Sequence, residues 1–434
     1  MTETLFELGK HDAAESVLRH RIDQGRAELD SDVVRNSQTN SSDQATRRLA
    51  ETLHTLGFIK LKGHNFDEAR VLLSEAFAMG EESALIAMAY LEKQANDPEA
   101  ARVLYLQAME FDDPDLNLEA TFNLAVLEHE EENLERASEL YVAASSRGHE
   151  QARFNLAVIR GAEGDTSGER EIYADLSNSE SETVRRKALY SLGMIERRTQ
   201  NLGTALESFQ HAAKLGHFES AIAAAETERT IGNLEGAILM ASKATELASS
   251  QAKRAESLNL FGDIELDANN IEAATEAYLT AVQLGDAHAF VGLGMIAARN
   301  DDIDEARSLY SRAIAELDLE EQIDAVYNLA NLETREGNVQ LAVDLYQSLG
   351  DRSSHALTNL GVIKLLSGDD DGARSLFERA HELGNVEASR NLLHVEGAAG
   401  NETRIREIVN ELIKDRHMTA DQVAELLRGS TEDT

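Results

Sequence analysis

Small and bulky residues recur along this chain in one figure: a small residue, a bulky one four later, and a small one three after that. The first place holds Ala69, Ala101, Ala137, Ala205, Ala237, Ala274, Ala306, Ala342 and Ala373, with Glu169 and Ile405 as departures. The second holds Leu73, Tyr105, Tyr141, Tyr173, Phe209, Tyr278, Tyr310, Tyr346, Phe377 and Val409, with Ala241 small where the others are large. The third holds Ala76, Ala108, Ala144, Ala212, Ala244, Ala281, Ala313 and Ala380, with Leu176, Leu349 and Leu412 substituting. Spacings of i, i+4 and i+7 lie on one face of an α-helix, so each figure predicts a helix with a buried stripe. Six of the nine tyrosines fall in the bulky register, which reads them as packing residues.

A second helix is predicted upstream of each stripe. Twelve residues before the small position stands a bulky and small pair, among them Leu56-Gly57, Met88-Ala89, Leu124-Ala125, Leu156-Ala157, Leu192-Gly193, Leu293-Gly294, Leu329-Ala330 and Leu360-Gly361. The small member is expected to let two helix backbones approach. Between the helices, four residues before the stripe, every unit carries Asn or Asp: Asn65, Asp97, Asn133, Asp165, Asn201, Asn233, Asn270, Asp302, Asn338, Asp369 and Asn401. These residue types cap helix N-termini and tolerate tight turns, so each is expected to start the second helix of a hairpin.

The pairing of Leu-Gly with a later Ala, aromatic, Ala run resembles the tetratricopeptide repeat, over roughly residues 46 to 414. The family's first-helix tryptophan and closing proline are absent. Several units also end like Sel1-type repeats: Ala144 to Gly148 and Ala152, Ala281 to Gly285 and Ala289, Ala380 to Gly384 and Ala388. The resemblance implies an all-α fold, an αα-hairpin superhelical solenoid of about eleven repeats. Intervals between stripes alternate between about 32 and 36 residues, and the longer ones are expected to add one helical turn.

The ends are expected to differ from the array. Residues 4 to 29 read as a partial hairpin and the polar stretch Asn36 to Gln44 as a linker, which makes 1–45 an N-terminal segment. The array follows over 46–414, and 415–434 is a capping helix with an acidic tail. Thr419 with Gln422 three residues on forms a capping-box pattern ahead of Val423, Leu426 and Leu427.

Composition narrows the class. Proline occurs twice, which leaves long helices unbroken. The balance of 41 basic against 79 acidic residues, a formal charge of −38, repels phosphate backbones and anionic lipid and favours encounter with basic proteins. No cysteine is present, so thiolate metal sites and thiol catalysis are excluded. The start MTETLFELGKHD has no basic residue ahead of an apolar run, and no stretch approaches a membrane span. A cytoplasmic protein without nucleic-acid or membrane partners is the expectation.

No enzyme motif, metal-ligand spacing or cofactor fingerprint appears, so neither catalysis nor a cofactor is expected. GDTSGER from Gly164, His149, His217 and the carboxylate runs at Glu130 to Glu132 and Asp369 to Asp371 all fall at interhelical turns. The position just before the first-helix pair is more informative: Asn123, Asn155, Asn328, Asn359 and Asn391 occupy it, in FNLA, FNLA, YNLA, TNLG and RNLL. In tetratricopeptide proteins this place faces the concave groove, and the resemblance implies a ladder of amides that holds the main chain of an extended peptide. An amide suits that task because it both donates and accepts. The alternative is that asparagine is tolerated on a half-exposed face. Ser191, Ala223 and Gly292 interrupt the ladder, and Asn259 joins it only through a one-residue insertion. In the gap, Lys187, Tyr190, Arg197 and Arg198 form a basic and aromatic spot, for an acidic group of a partner or for neighbouring glutamates. Two functions follow from the sequence: a scaffold binding an extended, net basic segment of another protein, or a subunit that stacks into a larger assembly.

Overall fold

The computed structural model describes residues 11–35, 40–414, 419 and 422. Those residues form 23 α-helices, one short 3-10 turn and no strand. The chain divides into two compact units, residues 1–201 and 202–434.

The first unit contains α1 (His11–Arg35), α2 (Asn40–Lys62), α3 (Phe66–Ala78), α4 (Ala84–Gln94), α5 (Pro98–Ala108), α6 (Pro114–Glu130), α7 (Leu134–Ser146), α8 (Glu150–Ala162), α9 (Thr166–Leu176) and α10 (Glu182–Arg198). After α1, the helices pair as hairpins α2–α3, α4–α5, α6–α7 and α8–α9. Both prolines open helices, at Pro98 and Pro114, where the missing N–H has no intrahelical partner to lose. The second unit runs through α11 (Leu202–Lys214), α12 (Phe218–Thr230), α13 (Leu234–Leu247), α14 (Gln251–Asp267), α15 (Ile271–Gln283), α16 (Ala289–Arg299) and α17 (Ile303–Glu316). It continues with α18 (Ile323–Arg335), α19 (Val339–Leu349), α20 (Ser354–Leu366), α21 (Asp370–Glu382), α22 (Val386–Ala398) and α23 (Glu402–Lys414). From α12 onward these helices pair in order, ending with α22–α23.

The predicted stripe is the core. Ala101, Ala137, Ala274, Ala306 and Ala373 are fully buried, and the six register tyrosines are at most 3% exposed. Glu169, the departure from Ala, fits because Gly161 leaves room beside it; a Cβ on Gly161 would stand 2.7 Å from that carboxylate. The glycine of the first-helix pair acts differently from the expectation. It makes space for the bulky ring of its own hairpin: Gly294 lies against Tyr310 and Gly361 against Phe377, where an added Cβ would come within 2.5 Å of the ring.

All eleven Asn/Asp positions immediately precede a helix. Asp97, Asp165, Asp302 and Asp369 accept the N–H three residues on, at 2.9–3.2 Å. The residue before each of the eleven adopts the left-handed conformation, glycine in five cases and His64, Asn96, Glu132, Gln200, Asn269 and Asp301 in six. The Sel1-type endings hold too, with Gly148, Gly285 and Gly384 left-handed and Ala152, Ala289 and Ala388 fully buried.

Two expectations are corrected, and the N-terminal segment takes a definite form. Residues 11–35 form one continuous helix that packs on α2: Leu18 and Ile22 join a core cluster with Leu49, Leu53 and Leu56 of α2, and Gly25 meets Leu49. Residues 40–44 of the expected linker belong to α2, while 4–10 and 36–39 lie outside the described residues. Three of the four long intervals are met by a 17-residue first helix, α6, α10 or α14. In the fourth, α18 has only 13 residues and the extra length forms a turn, because Asp318 accepts the N–H groups of Glu320 and Glu321 at 3.0 and 3.1 Å. At the far end, Thr419 and Gln422 exchange capping hydrogen bonds of 2.8 and 3.2 Å as expected. Val423, Leu426, Leu427 and the acidic tail lie outside the described residues.

A salt-bridged tie between hairpins escaped the sequence reading. A glutamate five residues before an asparagine cap is buried and divides its carboxylate. Glu128 takes Arg102 at 2.7 Å and Asn133 at 2.8 Å, and Glu196 takes Arg170 at 2.6 Å and Asn201 at 2.7 Å. In the second unit Glu333 takes Arg307 and Asn338, both at 2.6 Å, and Glu396 takes Arg374 and Asn401 at 2.6 and 2.7 Å. In each set the arginine comes from the hairpin before.

Candidate functional site

The candidate groove residues stand on the first helices of their hairpins, and helical spacing sets which of them share a face. Asn123, Asn155, Lys187 and Tyr190 belong to the first unit; Asn328, Asn359 and Asn391 belong to the second. All five asparagines are half-buried. Asn123 Nδ2 donates to the Glu119 carbonyl at 3.0 Å, and Asn328 Nδ2 donates to the Asp324 carbonyl at 2.9 Å. Each keeps its Oδ1 as an acceptor. Asn155 Nδ2 instead donates to the Tyr141 hydroxyl at 3.1 Å, and Asn359 Nδ2 reaches the Tyr346 hydroxyl at 3.2 Å and Asn331 Oδ1 at 2.9 Å. Tyr141 and Tyr346 therefore pack with their rings and engage first-helix polar groups with their hydroxyls. In the basic spot, Lys187 is exposed and Tyr190 half-buried, while Arg198 pairs with Glu169 at 2.8 Å.

In the second unit, three cavities of about 410, 290 and 570 Å³ share wall residues along α14, α16 and α18. Asn259 lines two of them and Asn328 lines two, and they share the wall of one. Polar residues absent from the sequence reading join these walls: Arg229, Asp263, Asp267, Arg299, Asn331 and Arg335. Their signal was available, since Asn331 and Arg335 follow Asn328 by three and seven residues on the same helix face. Burial raises the Asp263 carboxyl, although the Tyr278 hydroxyl donates to it at 2.7 Å and Arg229 stands 3.9 Å away. Asp267 takes the closer contact from Arg229, at 2.5 Å. In the first unit, a cleft of about 700 Å³ is walled by carboxylates, Glu51, Glu81, Asp115 and Glu119 among them, against Arg47.

Of the turn histidines, His149 serves as a cap: its Nδ1 accepts the Ala152 N–H at 3.1 Å while its ring stacks on Phe122, and burial lowers its pKa; His217 Nδ1 instead meets the Ser220 hydroxyl at 2.8 Å. One cluster superficially matches a hydrolytic triad. His381 contacts the Ser389 hydroxyl at 2.8 Å and Glu411 at 2.7 Å. Ser389 is wholly buried and His381 is 3% exposed, so no substrate reaches the hydroxyl, and the cluster ties α21, α22 and α23 together. Among the described residues, no group of three or more His, Asp and Glu is arranged to hold a metal ion. No helix among them is long and apolar enough to cross a membrane.

A family model described as tetratricopeptide repeat matches residues 259–321, the segment from α14 to the turn before α18. No curated protein matches the chain. Among solved structures it is similar to a tetratricopeptide repeat protein from Parabacteroides merdae, at 18% identity over 57% of this chain and 98% of that one, with a TM-score of 0.47. It is also similar to yeast Tom70, at 16% identity over 93% and 99% with a TM-score of 0.47. A third is a protective antigen of uropathogenic Escherichia coli displaying an SLR fold, at 17% identity over 88% and 91% with a TM-score of 0.42. The matched segment, which is similar to the tetratricopeptide repeat, contains the same stripe, cap and left-handed turn that recur in the hairpins before and after it.

Proposed function

We propose that the chain is a protein-interaction scaffold whose first-helix face binds an extended, net basic segment of a partner. The observation that carries this reading is the row of adjoining cavities along α14, α16 and α18, with Asn259 and Asn328 in their walls. A compact ligand fills one pocket, whereas a row with shared walls suits an elongated one. Asn123 and Asn328 each offer an unengaged Oδ1 to the N–H groups of a passing main chain, and Asn359 and Asn391 extend the series in the second unit. Lys187 and Tyr190 are the candidates on α10 for an acidic group of the partner. The charge of −38 supports a basic partner through long-range attraction, which speeds encounter.

The test is capture of peptides from a proteome digest by the full chain, followed by replacement of Asn123, Asn155, Asn328, Asn359 and Asn391 by Ala. Captured basic peptides that the quintuple variant loses support the reading. Unchanged capture by that variant removes the ladder, and absence of captured peptides together with self-association favours the assembly role.

A further inference from the structure

The geometry points to the junction of α13 and α14 as a socket for an arginine side chain of a partner protein, at a place where this chain supplies the carboxylates but not the arginine. It does not rest on the groove reading. Glu265, its central residue, lies two residues from Asp263 and Asp267, about 200° around α14, and so turns away from the cavity that those two line.

The argument starts from the ties between hairpins. In the four described above, and in Arg70 with Glu92, the arginine follows the small stripe residue by one and the glutamate precedes the next cap by five. The guanidinium Nε stands 2.6–2.9 Å from the carboxylate Oε1 in all five. A second acid three residues before the arginine holds another edge of the fork: Glu99 on Arg102, Asp304 on Arg307 and Asp371 on Arg374, at 2.5–3.2 Å. Where the arginine place holds Ser138, Thr275 or Val343, the glutamate place has changed as well, to Arg160, Ala297 or Lys364. At these junctions the two members of the tie come and go together.

Two junctions keep the glutamate alone. At Glu228 the arginine place is Leu206, and Gln210 donates to Oε1 instead, at 3.1 Å. At Glu265 the arginine place is Ile238, and no side chain takes over. Glu265 is 6% exposed, and its Oε2 accepts the Asn270 amide at 2.6 Å, as Glu128 and Glu333 accept theirs. Its Oε1, the atom that receives the arginine in every tie, has no partner among the described residues. Every fully enclosed side-chain polar atom among them is hydrogen-bonded, so this oxygen opens to solvent. The second acid is also present, because Glu235 stands three residues before Ile238 and is exposed. Cations of the neighbouring helices are engaged elsewhere, Arg229 with Asp267 at 2.5 Å and Lys243 with Glu246 at 3.0 Å.

A buried carboxylate short of one donor, with a second carboxylate one helical turn from the arginine place, calls for a planar cation that donates on more than one edge, and guanidinium is that cation. It can arrive from outside, since the arginines of the ties are themselves 21–42% exposed and reach in from the surface. Leu239, 64% exposed beside Ile238, offers apolar surface to the arginine stem. The charge of −38 draws a basic partner toward the whole surface, and the socket gives one residue of that partner a fixed place.

The experiment uses the full chain with labelled isoleucine and leucine methyl groups, Ile238 and Leu239 as reporters, and three blocked peptides. These are Ser-Gly-Arg-Gly-Ser, its Lys twin and its citrulline twin, which keeps the shape of arginine without the charge. The Arg peptide is expected to shift both reporters and to bind at least about tenfold more tightly than the citrulline twin and about threefold more tightly than the Lys twin. Glu265→Gln should remove that preference with thermal unfolding little changed, because an acceptor for Asn270 remains. Ile238→Arg should occupy the socket from within and abolish the Leu239 shift. Equal binding of the Arg peptide and either twin, or no shift of Ile238 and Leu239 with any peptide, overturns the socket. An arginine preference that survives Glu265→Gln, or a Leu239 shift that persists in Ile238→Arg, overturns it as well.

Discussion

Arg307 Nε donates to Glu333 Oε1 at 2.6 Å from the hairpin before, and Glu333 is fully buried. The second oxygen of the same carboxylate takes the Asn338 amide, so one side chain binds the arginine of one hairpin to the turn of the next. Replacing Glu333 by Ala leaves the Asn338 amide without its partner and opens a gap beneath Arg307. A loss of about 1–3 kcal/mol is expected in urea unfolding. An unchanged midpoint would show that water takes over both contacts.

The same ties give the protein an acid limit. In Glu333 the Arg307 hydrogen bond outweighs burial and lowers the carboxyl pKa; in Glu128 burial acts against the shift, and Arg102 and Asn133 overcome it. A carboxylate whose folded pKa is depressed adds stability above its unfolded pKa and loses it as pH falls through the folded value. Thermal stability should therefore decline below about pH 4.5, the ordinary value for both groups, and Glu128→Gln with Glu333→Gln should flatten that decline. Asp263 and Glu256, raised by burial, act with the opposite sign and soften the acid loss.

Non-glycine residues in the left-handed turns carry a conformational cost. Glu132 at φ 62° and Gln200 at φ 64° occupy the place that Gly232 and Gly337 fill elsewhere. Glu132→Gly should raise stability by about 0.5–1 kcal/mol, the steric penalty exceeding the added chain entropy. A lower melting temperature in the variant would mean that the entropy cost prevails.

Packing of the stripe against the first helix allows little growth. Gly361→Ala places a Cβ 2.5 Å from the Phe377 ring, and Ala306→Leu inserts three carbons at a fully buried site. Each should cost about 1–3 kcal/mol in chemical denaturation. Glu387→Gln, at an exposed position, is the control and should change little.

The sequence by itself determined the hairpins. Periodicity of 3.6 marks which face of each helix is buried, and the cap residue four before the stripe marks where the turn lies; both are local, so Ala101, Tyr105 and Asp97 are legible from neighbours in the chain. It also placed Asn123, Asn155, Asn328, Asn359 and Asn391 on first helices, since register alone decides that. Tertiary structure decided everything that depends on a neighbour more than a few turns away. Whether Asn155 meets Tyr141 while Asn328 stays apart from Tyr310, and whether four extra residues before α18 lengthen a helix or form the Asp318 turn, depend on packing between hairpins. So do the Arg307 to Glu333 tie and the cavity that Tyr310 and Asn331 line together, because side chains 26 or 21 positions apart meet only after hairpins stack. Hydrogen bonds act over about 3 Å, and no local pattern fixes distances of that size between separate hairpins.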